Sequence, residues 1–494
     1  MVCVKTQFCM TAVLFLSLQS ACSSTAFSTA SNSGQSLQND FEAIIESYVA
    51  DDQFAGSVLI AAEGDVIYTA GSGVIDRELN VPASADQRFV IGSITKGFTA
   101  ALILQLVEEG QLDLGAPAIQ YWPDFPDPSG GRILVDHLLT HRSGLHHWNA
   151  VDNFLSDKSK NRWSQKELVR LYAREGLRFE PGAENAYSSI GYVLLGVLAE
   201  KVTGKPLEKL LEERIFSPLG MSNTRLDDGA SIIPGRVRAY RYNFVEARYD
   251  NAEYRDPSTT WSTGGIVTTV ADLNRWAQAL HGANPDVVSN SAREKMFDPA
   301  AGRQAYGWAV EITDETKFAS HGGLVTGYRS HIQLDLTNHR TVILLGNLRD
   351  ARVSEAARAL LAILDGDEPV LARKSLMKEI LRVSASRGSD AAIARFNEII
   401  EDENQSYNTQ ETELLLAALE LRSDGVCVRA APLYDRWIGV YPESAYMQFA
   451  MAGAIDCHLQ NGHKESARNM IEALRSINPE NDALEDFDAR LSQS

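Results

Sequence analysis

RFVIGSITKGFTAALILQLVEEG, residues 88–110, is apolar on nearly every side from Phe98 to Val107 and stops at Gly110. A run of that length without a polar face predicts a helix buried all round. Gly110 just past its end is the residue type that closes a helix in the left-handed conformation. Ser93 then falls in the first turn, where free backbone N–H groups and the helix dipole favour developing negative charge. Lys96, three residues on, projects from the same face and reaches the serine hydroxyl. A serine needs a base close by to act as a nucleophile, and burial disfavours the charged form of a lysine, which suits it to that task. An SxxK spacing is common, and an N-cap serine with a surface lysine would also produce it. The helix offers Lys96 no evident polar face, so the catalytic reading is preferred.

Working outward, residues 39–50 (NDFEAIIESYVA) read as an amphipathic helix. Gly56–Ala62, a Glu63-Gly64-Asp65 turn and Val66–Ala70 read as a β-hairpin, with apolar runs bracketing turn residues. Past residue 320 the pattern returns in mirror order: Tyr328–Leu336, a Thr337-Asn338-His339 turn and Arg340–Leu348 form a second hairpin, followed by a helix over 351–364. Helix–hairpin at one end and hairpin–helix at the other predict a single antiparallel sheet built from both ends of the unit and flanked by helices. That is an α+β sandwich, without the βαβ alternation of a dinucleotide fold. The breaker cluster Asp365-Gly366-Asp367-Glu368-Pro369 marks a boundary, giving a first unit over 39–366. Residues 367–494 read as an all-helical domain. Tyr441-Pro442 and Asn478-Pro479 punctuate it at close to the ~34-residue period of helix-turn-helix repeats, so tetratricopeptide-like units and an ordinary bundle both remain open.

The ends and the composition bound the setting. The chain has 494 residues, enough for two folded units, and its 44% hydrophobic and 22% charged content is that of a globular protein. A net charge of −19 argues against nucleic acid as a partner. Lys5 followed by the short apolar run Met10–Leu18 and the small residues Ser20, Ala21 and Cys22 predicts a secretory signal over 1–22 rather than a membrane anchor. Cys22 is similar to the lipidated cysteine of bacterial lipoproteins, although Leu18 and Gln19 depart from that pattern; plain cleavage is the alternative. Residues 23–38 are Ser/Thr-rich and read as a flexible tether. The mature chain is expected outside the cytoplasm, periplasmic or in the outer envelope. Cys427 and Cys457 are left in the mature chain, either paired or as small core residues. No metal-ligand spacing and no cofactor motif are present.

The segment around Ser93 resembles the SxxK element of the serine β-lactamase and penicillin-binding superfamily. More specifically it resembles the class C β-lactamase and esterase branch, over about residues 39–365. Further blocks carry the resemblance: Asp136-His137-Leu138-Leu139-Thr140-His141-Arg142-Ser143-Gly144-Leu145, Pro181-Gly182, Pro218-Leu219-Gly220-Met221, and Gly264-Gly265 with Asp272-Leu273. The resemblance implies that Tyr187 is a proton shuttle, a phenol helped by a nearby Lys96 cation. The family's Tyr-x-Asn becomes Tyr187-Ser188-Ser189, and Ser189 lacks the carboxamide that would hold a substrate amide. Lys-Thr-Gly corresponds to His321-Gly322-Gly323. His321, mostly neutral at pH 7, grips a carboxylate less well than lysine, and Gly323 lets the backbone lie flat against a substrate. The oxyanion hole is assigned by the resemblance to the backbone N–H groups of Ser93 and Leu324. His141, His146 and His147 read as a polar loop, and Trp148, Trp261 and Tyr328 as candidate lining of an acyl pocket or as core.

The reading that results is an exported serine hydrolase acting through an acyl-enzyme on a small acyl, ester or peptide substrate. Esterase, amidase and D-amino-acid peptidase stand ahead of efficient β-lactamase. The alternative is a catalytically silent envelope protein whose helical C-terminal part binds a protein partner.

Overall fold

A computed structural model describes residues 24–298, 304–313, 315–402 and 406–493. Seven strands form its central sheet: β1 (Gly56–Ala62), β2 (Asp65–Ser72), β3 (Gln304–Ala305), β4 (Trp308–Ile312), β5 (Lys317–Val325), β6 (Tyr328–Asp335) and β7 (Arg340–Gly346). They lie in the order β3-β4-β5-β6-β7-β1-β2, with every neighbouring pair antiparallel. The join is β1 against β7, with Gly56 opposite Gly346 and Ala62 opposite Arg340, so both ends of the unit do share one sheet.

Both faces of the sheet are covered, which is why these strands read as continuous apolar runs rather than as alternating ones. Val58, Ile60, Val342 and Leu344 point to one face, against helix α1 (Ser24–Val49) and the helix over Val353–Leu364. Leu59, Ile343 and Leu345 point to the other, into the largest core. There they meet the helical middle, led by α2 (Thr95–Glu108) and α3 (Ser189–Thr203), both buried over most of their length. The apolar helix read from residues 88–110 is therefore α2, and Gly110 closes it with φ 72°.

One expectation is corrected. Residues 24–38 are helical, continuous with the amphipathic part of α1, rather than a loose tether. Once residues 39–49 have nucleated a helix against the sheet, extending it through Ser, Thr and Ala costs less than about 1 kcal/mol per residue. The secretory signal and Cys22 lie outside the described residues.

Past the non-helical segment 365–373, the described residues form helices joined by short turns, with one two-residue parallel pairing of Lys374–Ser375 with Tyr407–Asn408. The helices are α4 (Leu376–Arg387), α5 (Ser389–Ile400), α6 (Glu411–Ser423), α7 (Cys427–Val440), α8 (Met447–Gln460), α9 (Lys464–Ile477) and α10 (Leu484–Gln493). They hold their own core around Phe396, Leu433, Tyr434 and Trp437, and a disulfide joins Cys427 to Cys457. This region is seated on the first unit by buried charge. Glu413 pairs with Arg352 and accepts from the Met377 N–H at 3.0 Å, and Lys378 pairs with Asp350 at 2.7 Å.

Candidate active site

The turn before α2 is held by backbone on two sides. The Ile91 N–H donates to the Ile266 carbonyl at 3.0 Å, and Ser330 Oγ donates to the Ile91 carbonyl at 2.8 Å. Gly92 has φ 54°, and a Cβ there would stand 2.7 Å from the Leu324 nitrogen, so only glycine lets the turn lie this close to β5. Ser93 follows, in the short helical turn Gly92–Ile94 that leads into α2.

Three predicted side chains converge. Lys96 Nζ lies 3.0 Å from Ser93 Oγ, and the Tyr187 hydroxyl donates to the same oxygen at 2.9 Å. Lys96 is fully buried. Its amine donates to the Thr263 carbonyl at 3.0 Å and sits 5.0 Å from the centre of the Tyr187 ring. Among the described residues no carboxylate pairs with it, so burial, together with the charge of Arg255, holds the ammonium well below its ordinary range. Burial also pushes the Tyr187 phenol up to about 12, against the lowering effect of its bonds to Ser93 and Ser189. Both shifts favour the uncharged forms, amine on one side of Ser93 Oγ and phenol on the other. The depressed amine fits the reading of Lys96 as a base for Ser93, and the raised phenol disfavours a phenolate on Tyr187.

Two histidines read as loop are part of this centre. His141 is buried and its ring lies 4.4 Å from that of Tyr187, with Nδ1 accepting from the Ser188 N–H at 3.2 Å. His147 Nδ1 accepts from the Ser189 N–H at 3.2 Å, and its ring meets Tyr187 edge-on at 5.7 Å. Accepting at Nδ1 requires neutral imidazoles. Burial and the nearby Lys96 enforce this, pushing His147 down to about 3 and His141 well below its usual value. The pair fixes the backbone of 188–189 and the plane of the phenol. The block containing His141 was visible in the sequence, but its contact with Tyr187 depends on chain segments more than 40 residues apart.

On β5 the expectations divide. Val325 and Tyr328 close a hairpin across Thr326 (φ 33°) and Gly327 (φ 88°), so they form the doubly bonded pair. Ladder alternation then leaves the Leu324 N–H pointing out of the hairpin, on the stretch of β5 that extends beyond β4, whose pairing ends at Ser320. Leu324 lines the same cleft as Ser93. Gly323 faces elsewhere: a Cβ there would fall under 3.0 Å from the Ile91 carbonyl and Ser330 Oγ, so it packs β5 against the nucleophile's turn rather than against substrate. His321 is half-buried, with Nδ1–H donating to the Gly322 carbonyl at 2.7 Å. Burial and Lys96 drive its imidazolium down to about 3, which makes it a neutral group where the family carries a cation.

Ser93 opens onto a cleft of about 610 Å³, with Tyr187, Ser189, Trp148 and Leu324 around it. Of the aromatics read as lining or core, Trp148 borders the cleft, whereas Trp261 and Tyr328 are core. Trp261 packs on Gly196, and the Tyr328 hydroxyl donates to the Val237 carbonyl at 2.7 Å. Two contributors were not legible in the sequence. Arg255 lines the cleft from the segment before Thr259, and Ser423 with Asp424 line it from the end of α6, so the C-terminal helices form part of its wall. No cluster that would hold a metal ion occurs among the described residues.

A family model described as Beta-lactamase matches residues 41–365. Penicillin-binding protein 4* of Bacillus subtilis is 29% identical over 349 residues, covering 66% of this chain and 74% of that one. Esterase EstB of Burkholderia gladioli is 32% identical over 312 residues, covering 55% of this chain and 78% of that one. Among solved structures, the octameric penicillin-binding protein homologue from Pyrococcus abyssi superposes with a TM-score of 0.60 at 27% identity, covering 67% of this chain and 78% of that one. D-amino acid amidase from Ochrobactrum anthropi SV3 gives a TM-score of 0.58 at 25% identity, covering 67% and 99%. The family model ends at residue 365, before the C-terminal helices begin.

Proposed function

The chain belongs to the β-lactamase family of serine hydrolases, and from that premise we propose that it is an exported esterase or D-amino-acid amidase or peptidase working through an acyl-enzyme on Ser93. The observation that carries this is the meeting of Lys96 Nζ and the Tyr187 hydroxyl at one oxygen, Ser93 Oγ. Lys96, in the uncharged form that its burial favours, accepts the Ser93 proton as Oγ bonds to the substrate carbonyl carbon. The oxyanion that forms is met by the backbone N–H groups of Ser93 and Leu324. Tyr187 gives its proton to the leaving oxygen or nitrogen as the carbon–leaving-group bond breaks, and recovers one from Lys96. Water then attacks the acyl carbon, with the same groups taking its proton, and Ser93 is released.

Ester and D-amino-acid amide substrates are favoured over β-lactams for two reasons. Ser189 replaces the carboxamide of the family's tyrosine motif, and His321 supplies no charge where the family has lysine. The relatives named for esterase and amidase activity support the same preference. Export rests on the leader composition of residues 1–22, with a lipid anchor at Cys22 as its membrane-bound form. The intact Ser93–Lys96–Tyr187 contact counts against a silent scaffold.

The test is covalent labelling followed by a substrate panel. A fluorophosphonate should label the wild type and spare Ser93→Ala, and the labelled protein should turn over 4-nitrophenyl esters or D-amino-acid amides faster than nitrocefin. Absence of both labelling and turnover would overturn the assignment.

A further inference from the structure

The cleft is lined by three arginines, Arg241, Arg255 and Arg349, and two carboxylates, Glu253 and Asp424. That excess of positive charge occurs in a chain of net charge −19. Arg241 is engaged with Glu253 at 3.5 Å. Arg255 is different. Its Nε donates to Thr259 Oγ1 at 2.9 Å and its Nη2 to the Thr259 carbonyl at 3.4 Å, both neutral acceptors, and its carbon lies 5.9 Å from the Phe154 ring centre. Among the described residues no carboxylate forms an ion pair with it. The acidic neighbours in sequence are occupied elsewhere: Glu253 with Arg241, and Asp256 with the Ser258 N–H at 2.9 Å.

We infer that Arg255 is the specificity-determining residue of the cleft, and that it binds a carboxylate carried on the substrate's acyl part. This rests on the hydrolase reading above. A guanidinium taken out of water without an anion is costly, and its planar fork of N–H donors matches a carboxylate's two oxygens. Burial depresses Arg255 to about 10, with Tyr172 the group that opposes this, so an incoming anion relieves an existing penalty. The anchor stands on the segment leading into Trp261–Gly264, not on β5, where neutral His321 has given up that task. Arg255 also lowers the Lys96 amine. A carboxylate docked on it screens that field and makes Lys96 a stronger base as the substrate arrives.

The test compares 4-nitrophenyl monoesters of equal length whose far ends differ: adipate (carboxylate), hexanoate (methyl) and 6-aminohexanoate (ammonium). Wild type should favour adipate over hexanoate in kcat/KM by about tenfold or more, the usual scale of a hydrogen-bonded charge, with the ammonium ester the poorest. Arg255→Met should bring the adipate-to-hexanoate ratio to near unity, Arg255→Glu should favour the ammonium ester, and Arg255→Lys should keep a reduced preference for adipate. A role confined to tuning Lys96 would change turnover of all three esters together and leave the ratio intact; that result overturns the inference. So does a wild type that turns over hexanoate with no preference for adipate, while the hydrolase reading survives. Failure on all three esters together with failure to label Ser93 sinks that reading instead.

Discussion

Alanine at Gly323 is expected to disable turnover, whereas alanine one residue earlier is expected to be silent. A methyl at 323 would fall under 3.0 Å from both the Ile91 carbonyl oxygen and Ser330 Oγ, while one at 322 meets nothing closer than 3.8 Å. Ser330 can rotate away, but the Ile91 carbonyl is backbone. Carbon and oxygen settle at roughly 3.3 Å or more, so relief requires β5 and the Ile91–Gly92 turn to part by about 1 Å. The turn carries Ser93, and the residue after 323 carries the Leu324 N–H. Their separation therefore widens the oxyanion site directly. A misplacement of that size costs about 100-fold in rate, and the overpacking itself about 1–3 kcal/mol of stability. The measurement is kcat on 4-nitrophenyl butyrate for Gly322→Ala and Gly323→Ala, with thermal unfolding and fluorophosphonate labelling run on the same samples. Full activity in Gly323→Ala at an unchanged melting temperature would refute the account of how β5 positions the nucleophile.

Lys96→Met should lower turnover by about 10²–10⁴ while raising the melting temperature at neutral pH. Burial holds the folded amine below its ordinary 10.5, so between the folded value and 10.5 the unfolded chain binds the extra proton and wild-type stability rises with pH. The variant's advantage should shrink as the pH approaches 10; an advantage independent of pH would contradict the depressed amine. The same titration makes kcat/KM climb with pH through the folded value of Lys96. At the C-terminal wall, Ser423→Trp should cut kcat/KM for long acyl esters by roughly tenfold, a scale set by pocket occlusion, and leave an acetate ester unaffected. Equal effects on short and long esters would show that α6 does not border the substrate.

Much of the fold was legible because its signals are local. The apolar run of α2, the two hairpins with their turn residues, and the helices flanking them are each encoded within a few dozen residues. That both ends share one sheet followed from symmetry in the order of elements; that β1 and β7 are the strands that meet came from the structure. The tether was misread because composition describes an isolated segment, whereas residues 24–38 extend a helix already anchored on the sheet. Gly323 was assigned to substrate because glycine in a strand signals close approach without saying to what. Ile91, the group it approaches, lies more than 200 positions earlier.

From its sequence alone the chain specified a buried helix opening on Ser93 and Lys96, because helical periodicity and burial are properties of neighbouring residues. Tyr187 came from resemblance, and only the tertiary structure placed it 2.9 Å from Ser93 Oγ. The depressed amine of Lys96, the histidine bracket on Tyr187, the guanidinium of Arg255 held by neutral acceptors and the wall from α6 were decided there as well. Each depends on desolvation or on long-range contact, and the electrostatic state of a side chain is set by what surrounds it in space rather than along the chain.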